Sequence, residues 1–193
     1  MGACMVLRIN KKLLAFLGLF LSILIAFLIY RGCLRVMKYL YPLEYESIVN
    51  IASKTYGVEK ECIYAIIKCE SGFDSDAHSH ADALGLMQIT PDTFKWLQLY
   101  SHEGPIDARK LKAPYVNIMY GTLLVSILRE KYSDEEVVLS AYNAGETVVK
   151  RWLSDKNISP DGKKLGYIPY EETRRYVKRV KMAKKIYKIL YFS

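Results

Sequence analysis

Two stretches of this chain contain no acidic residue: residues 1–42 and residues 174–193. The first holds six basic residues and the second eight, so residues 43–173 carry fourteen basic residues against all twenty acids. The formal charge of +8 therefore belongs to the ends of an otherwise acidic body. That distribution argues against a body that wraps nucleic acid and for one held at an anionic surface. Cysteine is scarce as well, with only Cys4, Cys33, Cys62 and Cys69. Cys62 and Cys69 on one helix would stand about 10 Å apart, beyond the reach of roughly 7 Å that a disulfide allows, so the cysteines read as core thiols. No phosphate-binding glycine loop and no nucleophile elbow is present, which excludes the usual nucleotide-binding and serine-hydrolase designs. No pair of alternating strands is joined by an Asn-Gly or Asp-Gly turn, and no internal repeat is evident.

What is present is an apolar chain, 51% hydrophobic and 25% charged over 193 residues, enough for a packed core and too apolar for disorder. Leu13 to Tyr30 runs for 18 residues without a charge. As a helix it would reach about 27 Å, so it reads as a transmembrane segment. A cleaved signal peptide is the alternative, but the run exceeds a usual signal core and no A-x-A-like site follows it. A lipidated Cys33 is disfavoured because Tyr30 and Arg31 stand where small and aliphatic residues are wanted. Met1-Gly2-Ala3-Cys4-Met5-Val6 lacks the Ser or Thr of a myristoylation signal. The expected organisation is an anchor and linker over 1–42 and one domain over 43–193, a usual single-domain size. Three basic residues flank each end of the span, so charge alone does not orient it.

Beyond Glu44 the apolar residues recur mostly at helical spacing, which predicts a mainly α domain. The expected helices cover about 44–55, 59–70, 90–99, 115–132, 135–143, 146–153 and 171–190. Gly57, Gly72, Gly104, Pro105, Gly145 and Ser159-Pro160-Asp161-Gly162 punctuate them. The last helix puts Tyr176, Val180, Ala183, Tyr187 and Leu190 on one stripe and its lysines and arginines on the other face. That face reads either as a solvated surface or as a contact for anionic wall polymer or lipid headgroups.

Glu70 ends the apolar run Cys62-Ile63-Tyr64-Ala65-Ile66-Ile67-Lys68-Cys69 and is followed by Ser71-Gly72. This places a carboxyl at the lip of a groove with an apolar wall. Such a wall disfavours the carboxylate, and a rise of two pKa units corresponds to about 2.7 kcal/mol. A glutamic acid still protonated near neutrality is suited to general acid work.

The blocks around it carry a resemblance. Glu70-Ser71-Gly72-Phe73, then Ser79-His80-Ala81-Asp82-Ala83-Leu84-Gly85-Leu86-Met87-Gln88, then Ala141-Tyr142-Asn143-Ala144-Gly145 resemble the ordered motifs of the Slt-type lytic transglycosylases. These are glycoside hydrolase family 23 enzymes with a goose-type-lysozyme-like catalytic domain. Pro114-Tyr115-Val116-Asn117-Ile118 with Gly121, and Ile168 to Val177, continue it, so it spans about residues 44–190. The resemblance implies a mainly α, lysozyme-like catalytic domain behind one transmembrane helix. It implies cleavage of the linkage between N-acetylmuramic acid and N-acetylglucosamine in peptidoglycan, with Glu70 as the single acid and base. The muramyl 6-hydroxyl closes on C1, and an internal hydroxyl replaces the second carboxylate that other glycosidases need.

The same resemblance assigns substrate-binding roles, each beside a plainer reading. Ser71 contacts the sugar or caps the helix end. Gly85 lets the backbone approach the glycan or only makes a turn. Met87 packs on a sugar face and Gln88 hydrogen-bonds a sugar substituent, or both open the helix at Thr90-Pro91. Tyr142 and Asn143 shape the opposite wall, and Tyr176 positions the acid. His80, Asp82 and Cys69 depart from the family pattern. Asp82 either faces the groove, where it would shift the Glu70 pKa or orient a water, or is an exposed turn residue.

Asp74-Ser75-Asp76 and His78-Ser79-His80 lack the further ligands of a calcium loop or a zinc site, so no metal and no cofactor is expected. The expected partners are peptidoglycan strands and, through the N-terminal helix, the cytoplasmic membrane, with the domain outside the cytoplasm; nucleic acid is not among them. A hydrolytic muramidase and a wall-binding member of an envelope protein complex are the alternatives.

Overall fold

A computed structural model describes residues 11–100 and 105–193 of the chain. The readings placed on Cys4 and Gly104 lie outside these residues. Two units are resolved by their internal packing, one up to Pro42 and one from Leu43 onward. In the first, α1 spans Lys11–Leu40. It extends ten residues past the uncharged run, because no proline intervenes before Pro42, and the Tyr41 N–H bonds the Met37 carbonyl at 2.9 Å. From Leu14 to Leu40 it is long and apolar enough to cross a membrane. Its large side chains are exposed, Phe16 and Ile29 among them.

The second unit begins with α2 (Glu46–Tyr56) and α3 (Lys60–Glu70), followed by a loop from 71 to 90. Then come α4 (Pro91–Leu97), α5 (Pro114–Lys131), α6 (Glu135–Ala144), α7 (Glu146–Ser154) and α8 (Glu171–Tyr187). Each predicted helix is found within a few residues of its expected bounds. The final one is shorter, since a π-helical turn over Lys188–Phe192 takes over after Tyr187. A 3₁₀ turn at Ala108–Lys112 was not foreseen; it is started by the Asp107 carboxylate, which accepts the Arg109 N–H at 2.8 Å. Among the described residues there is no strand, only isolated bridges joining Leu84 to His78 and to Ile89.

The core is organised on α3. Six consecutive residues, Cys62 to Ile67, are buried, as expected for a helix surrounded on all sides. Its principal neighbour is α8, which buries Thr173, Tyr176, Val177, Val180, Ala183 and Tyr187. Tyr64 stacks on Tyr187 with ring centroids 5.3 Å apart, fixing the α3–α8 contact. α6 packs on α8, and α5 packs on α2 and α6. At roughly 1.5–3 kcal/mol per fully buried large apolar side chain, this contact sets the position of the end of α3 firmly. That end is Glu70.

Candidate active site

Glu70 is the last residue of α3 and is only half-buried, with its carboxyl opening into a cleft of about 560 Å³. Ser79, His80, Gln88, Tyr142, Asn143 and Glu172 also line this cleft. Burial pushes the Glu70 carboxyl from the ordinary 4.5 up to about 7; the Tyr176 hydroxyl and the Arg179 charge pull it down, and the Glu172 carboxylate adds to the rise. The Tyr176 hydroxyl is buried without a partner in good hydrogen-bond geometry. It nevertheless lies close enough to the Glu70 carboxyl for its proton to favour the carboxylate. Burial raises the Tyr176 and Tyr142 phenols well above their ordinary range, so both remain neutral donors. A carboxyl poised near 7 is half protonated at neutrality and can both give and take a proton.

The loop from 71 to 90 forms the wall beside Glu70 and is held in an unusual backbone. Gly72, Phe73, Asp82, Gly85 and Gln88 all have positive φ. For Phe73 and Gln88 this conformation is rare, and it persists because the surroundings over-determine it. Ser71 Oγ donates to the Leu86 carbonyl at 2.9 Å and accepts the Phe73 N–H at 3.1 Å, tying the end of α3 to the middle of the loop. Gln88 Nε2 donates to the Gly85 carbonyl at 2.8 Å and the Ala77 carbonyl at 3.2 Å.

The loop closes on Asn117 of α5. This fully buried side chain accepts the Met87 N–H at 2.6 Å and donates to the Leu84 and Leu111 carbonyls, both at 2.7 Å. Tyr142 of α6 completes the arrangement, its hydroxyl donating to the Met87 carbonyl at 2.7 Å.

These contacts correct several expected roles. Met87 is fully buried, and a Cβ on Gly121 would lie 2.5 Å from its sulfur. It fills a notch in α5 and has no surface to offer a sugar face. Gly85 has φ +74, and an added Cβ would meet the Asn117 amide and, at 2.6 Å, the Leu111 carbonyl. The close approach that demands glycine here is to the Asn117 side chain and the Leu111 carbonyl. Ser71 uses its hydroxyl on backbone groups. Gln88 does line the cleft; with both amide hydrogens engaged, what it presents to a ligand is its Oε1 acceptor. Tyr142 and Asn143 line the cleft beside Glu70, and Tyr176 is buried next to the acid.

Asp82 does not line the cleft; it is exposed and 3.1 Å from His78 Nε2. Cys62 is buried and Cys69 half-buried; both are free thiols, raised to about 11 by burial. Among the described residues, no three His, Cys, Asp or Glu side chains converge as metal ligands would.

Two participants went unrecognised in the sequence reading. Asn117 and Glu172 both sit inside motif blocks already noted, but nothing in residue type or spacing distinguishes a loop-organising amide or a cleft-lining carboxylate from its neighbours.

Comparison with known proteins bears on this arrangement directly. The family profile described as the Transglycosylase SLT domain matches residues 47–164, more than half of the chain. The chain belongs to this family. A membrane-bound lytic murein transglycosylase C from Pectobacterium atrosepticum is 34% identical over 170 residues, covering 75% of this chain and 47% of that protein. An inactive mutant of the lytic transglycosylase Slt from Pseudomonas aeruginosa superposes with a TM-score of 0.69 at 29% identity, covering 79% of this chain and 25% of that one. The 70 kDa soluble lytic transglycosylase from Escherichia coli gives 0.70 at 26% identity, with the same coverage. This SLT chain thus spans about half of its membrane-bound relative and a quarter of the solved chains, and it shares the fold of the part it covers. The SLT match ends before Glu172 and Tyr176, so the part of the cleft supplied by α8 lies beyond the matched residues.

Proposed function

We propose that this SLT-family chain is a peptidoglycan lytic transglycosylase that cuts the linkage between N-acetylmuramic acid and N-acetylglucosamine without water. The observation that carries the reading is the half-buried Glu70 carboxyl, raised to about 7 at the end of α3, in a cleft walled by the 71–90 loop and α6. Protonated Glu70 donates to the glycosidic oxygen as the bond from C1 to that oxygen breaks. The resulting carboxylate then accepts the proton of the muramyl 6-hydroxyl as its oxygen bonds C1, giving a 1,6-anhydro end and restoring the acid. In this reading Gln88 Oε1 and Asn143 hold the sugar, while Tyr176 stabilises the transient carboxylate. The names of the curated relatives, lytic murein transglycosylases, support the same substrate.

A hydrolytic reading has one observation in its favour. Glu172 puts a second carboxylate in the cleft, as a water-activating base would require. Mass analysis of murein digested by the purified full-length chain separates the two, because the anhydro product is one water lighter than the hydrolysed one. The expected result is anhydro ends with wild type and a loss on the order of 10³-fold with Glu70→Gln. Hydrated ends, lost on Glu172→Gln, would establish the muramidase instead.

The same proposal extends to location. α1 serves as a single membrane anchor with its N-terminus in the cytoplasm, and residues 43–193 act outside, where the wall lies. The membrane-bound naming of relatives and the apolar length of α1 support this placement.

A further inference from the structure

The last helix carries charge that the cleft does not use. At 100° per residue, Arg174, Lys178, Lys181 and Lys185 fall within about 60° of one another around α8. They line a groove of about 500 Å³ together with Met182 and Ile168. Lys181 is bonded to Glu136 at 2.6 Å, and Glu171, at the start of the same face, pairs with Arg175 at 2.7 Å. Among the described residues, no carboxylate pairs with Lys178, Lys185 or the following Lys188. Amid these cations stand two large apolar side chains turned to solvent, Met182 at 55% and Ile189 at 62% exposure. A solvated charged face gains nothing from them. A basic helix that rests on a bilayer does, because apolar groups enter the headgroup boundary while lysines meet phosphates.

A second observation comes from chain length. α1 ends at Leu40 and α2 begins at Glu46, so the connecting residues span at most about 18 Å. If α1 crosses a bilayer, this short connection tethers the start of the second unit to that membrane.

We propose that the Arg174–Lys185 face of α8, with Met182 and Ile189 as its apolar contacts, docks on the anionic phospholipid surface of the membrane that holds α1. This rests on the anchoring role given to α1 above. A wall polyanion would satisfy the cations but would leave the two apolar side chains and the short connection without a purpose. Arg179, which bears on Glu70, lies about 100° round the helix from Lys178. Docking on one face therefore leaves the cleft open to glycan.

The test uses the full-length chain in vesicles of phosphatidylcholine alone or with about 30 mol% phosphatidylglycerol. Acetylation of individual lysines is read by mass spectrometry, with exposed Lys54 and Lys95 as internal controls. Expected is at least about fivefold slower modification of Lys178, Lys185 and Lys188 in the anionic vesicles, reversed by about 0.5 M salt. The double substitution Met182→Ser with Ile189→Ser, at exposed sites, should weaken that protection while leaving the charge unchanged. Equal rates in both vesicles, with the chain still resisting alkaline extraction, would overturn the docking alone. Protection by a soluble polyanion over phosphatidylcholine, indifferent to the serine substitutions, would replace the membrane with a wall polymer. Loss of the chain on alkaline extraction would overturn the anchor and the docking together.

Discussion

A carboxyl raised to about 7 leaves two separate signatures, one in catalysis and one in stability. If Glu70 is the general acid proposed above, it must be protonated, so the rate of glycan cleavage should fall as pH rises through about 7. Tyr176→Phe removes the phenolic proton that favours the carboxylate, which should move this alkaline limb to higher pH and slow turnover; an unmoved limb would mean that Tyr176 acts only in packing. The stability signature has a definite sign. Folded Glu70 holds its proton more tightly than the unfolded chain, so wild type loses stability as pH rises from the unfolded pKa near 4.5 through about 7. Glu70→Gln never ionises. Urea unfolding should therefore show the variant more stable by about 2–3 kcal/mol at pH 8 and equal to wild type below pH 4. A variant less stable at pH 8 would show that the carboxylate is better accommodated than its burial implies.

The loop from 71 to 90 depends on contacts that lie far apart in sequence, and Asn117 of α5 is the principal one. Replacing it by leucine of similar size strands the Met87 N–H and the Leu84 and Leu111 carbonyls. Each buried orphan costs about 1–3 kcal/mol, so Asn117→Leu should destabilise by at least about 3 kcal/mol in urea melts and lose activity with it. Gly85→Ala should cost about 2–4 kcal/mol, since it adds both a positive-φ penalty and a collision with the same amide.

These two residues mark where the sequence stopped being readable. Apolar periodicity located the helices of the domain, because each buries a stripe or, like α3, its whole girth. The motif blocks singled out Glu70, Gln88, Tyr142 and Asn143, which line one cleft, and Tyr176, which is buried next to the acid. What periodicity could not supply was direction. Met87 belongs to the same block as Gln88, yet its side chain turns into α5 while Gln88 turns to the cleft. That choice is made by the left-handed backbone at Gly85 and Gln88 and by an amide 30 residues away. Glu172 was obscured for the opposite reason: an exposed glutamate in the first turn of a helix already has a sufficient local role at the positive end of the helix dipole.

For the chain as a whole, the open balance is the charge on either side of the apolar run within α1. Arg8, Lys11 and Lys12 precede the apolar run, and Arg31, Arg35 and Lys38 follow it, so short-range charge does not choose a side. Basic residues resist crossing the membrane, and a tied count leaves orientation responsive to small changes on the side that must stay in the cytoplasm. If the domain acts on the wall, removing Lys11 and Lys12 should send a measurable fraction of chains in backwards, with residues 43–193 trapped inside. Removing Arg35 and Lys38 should strengthen the outward orientation. Protease added to wall-stripped cells measures this directly, since only an outward domain is cut, while an N-terminal tag stays protected. A wild-type domain that resists such protease, in cells whose murein the enzyme nonetheless cleaves once they are broken open, would reverse the orientation and separate the chemistry of the cleft from its place of action.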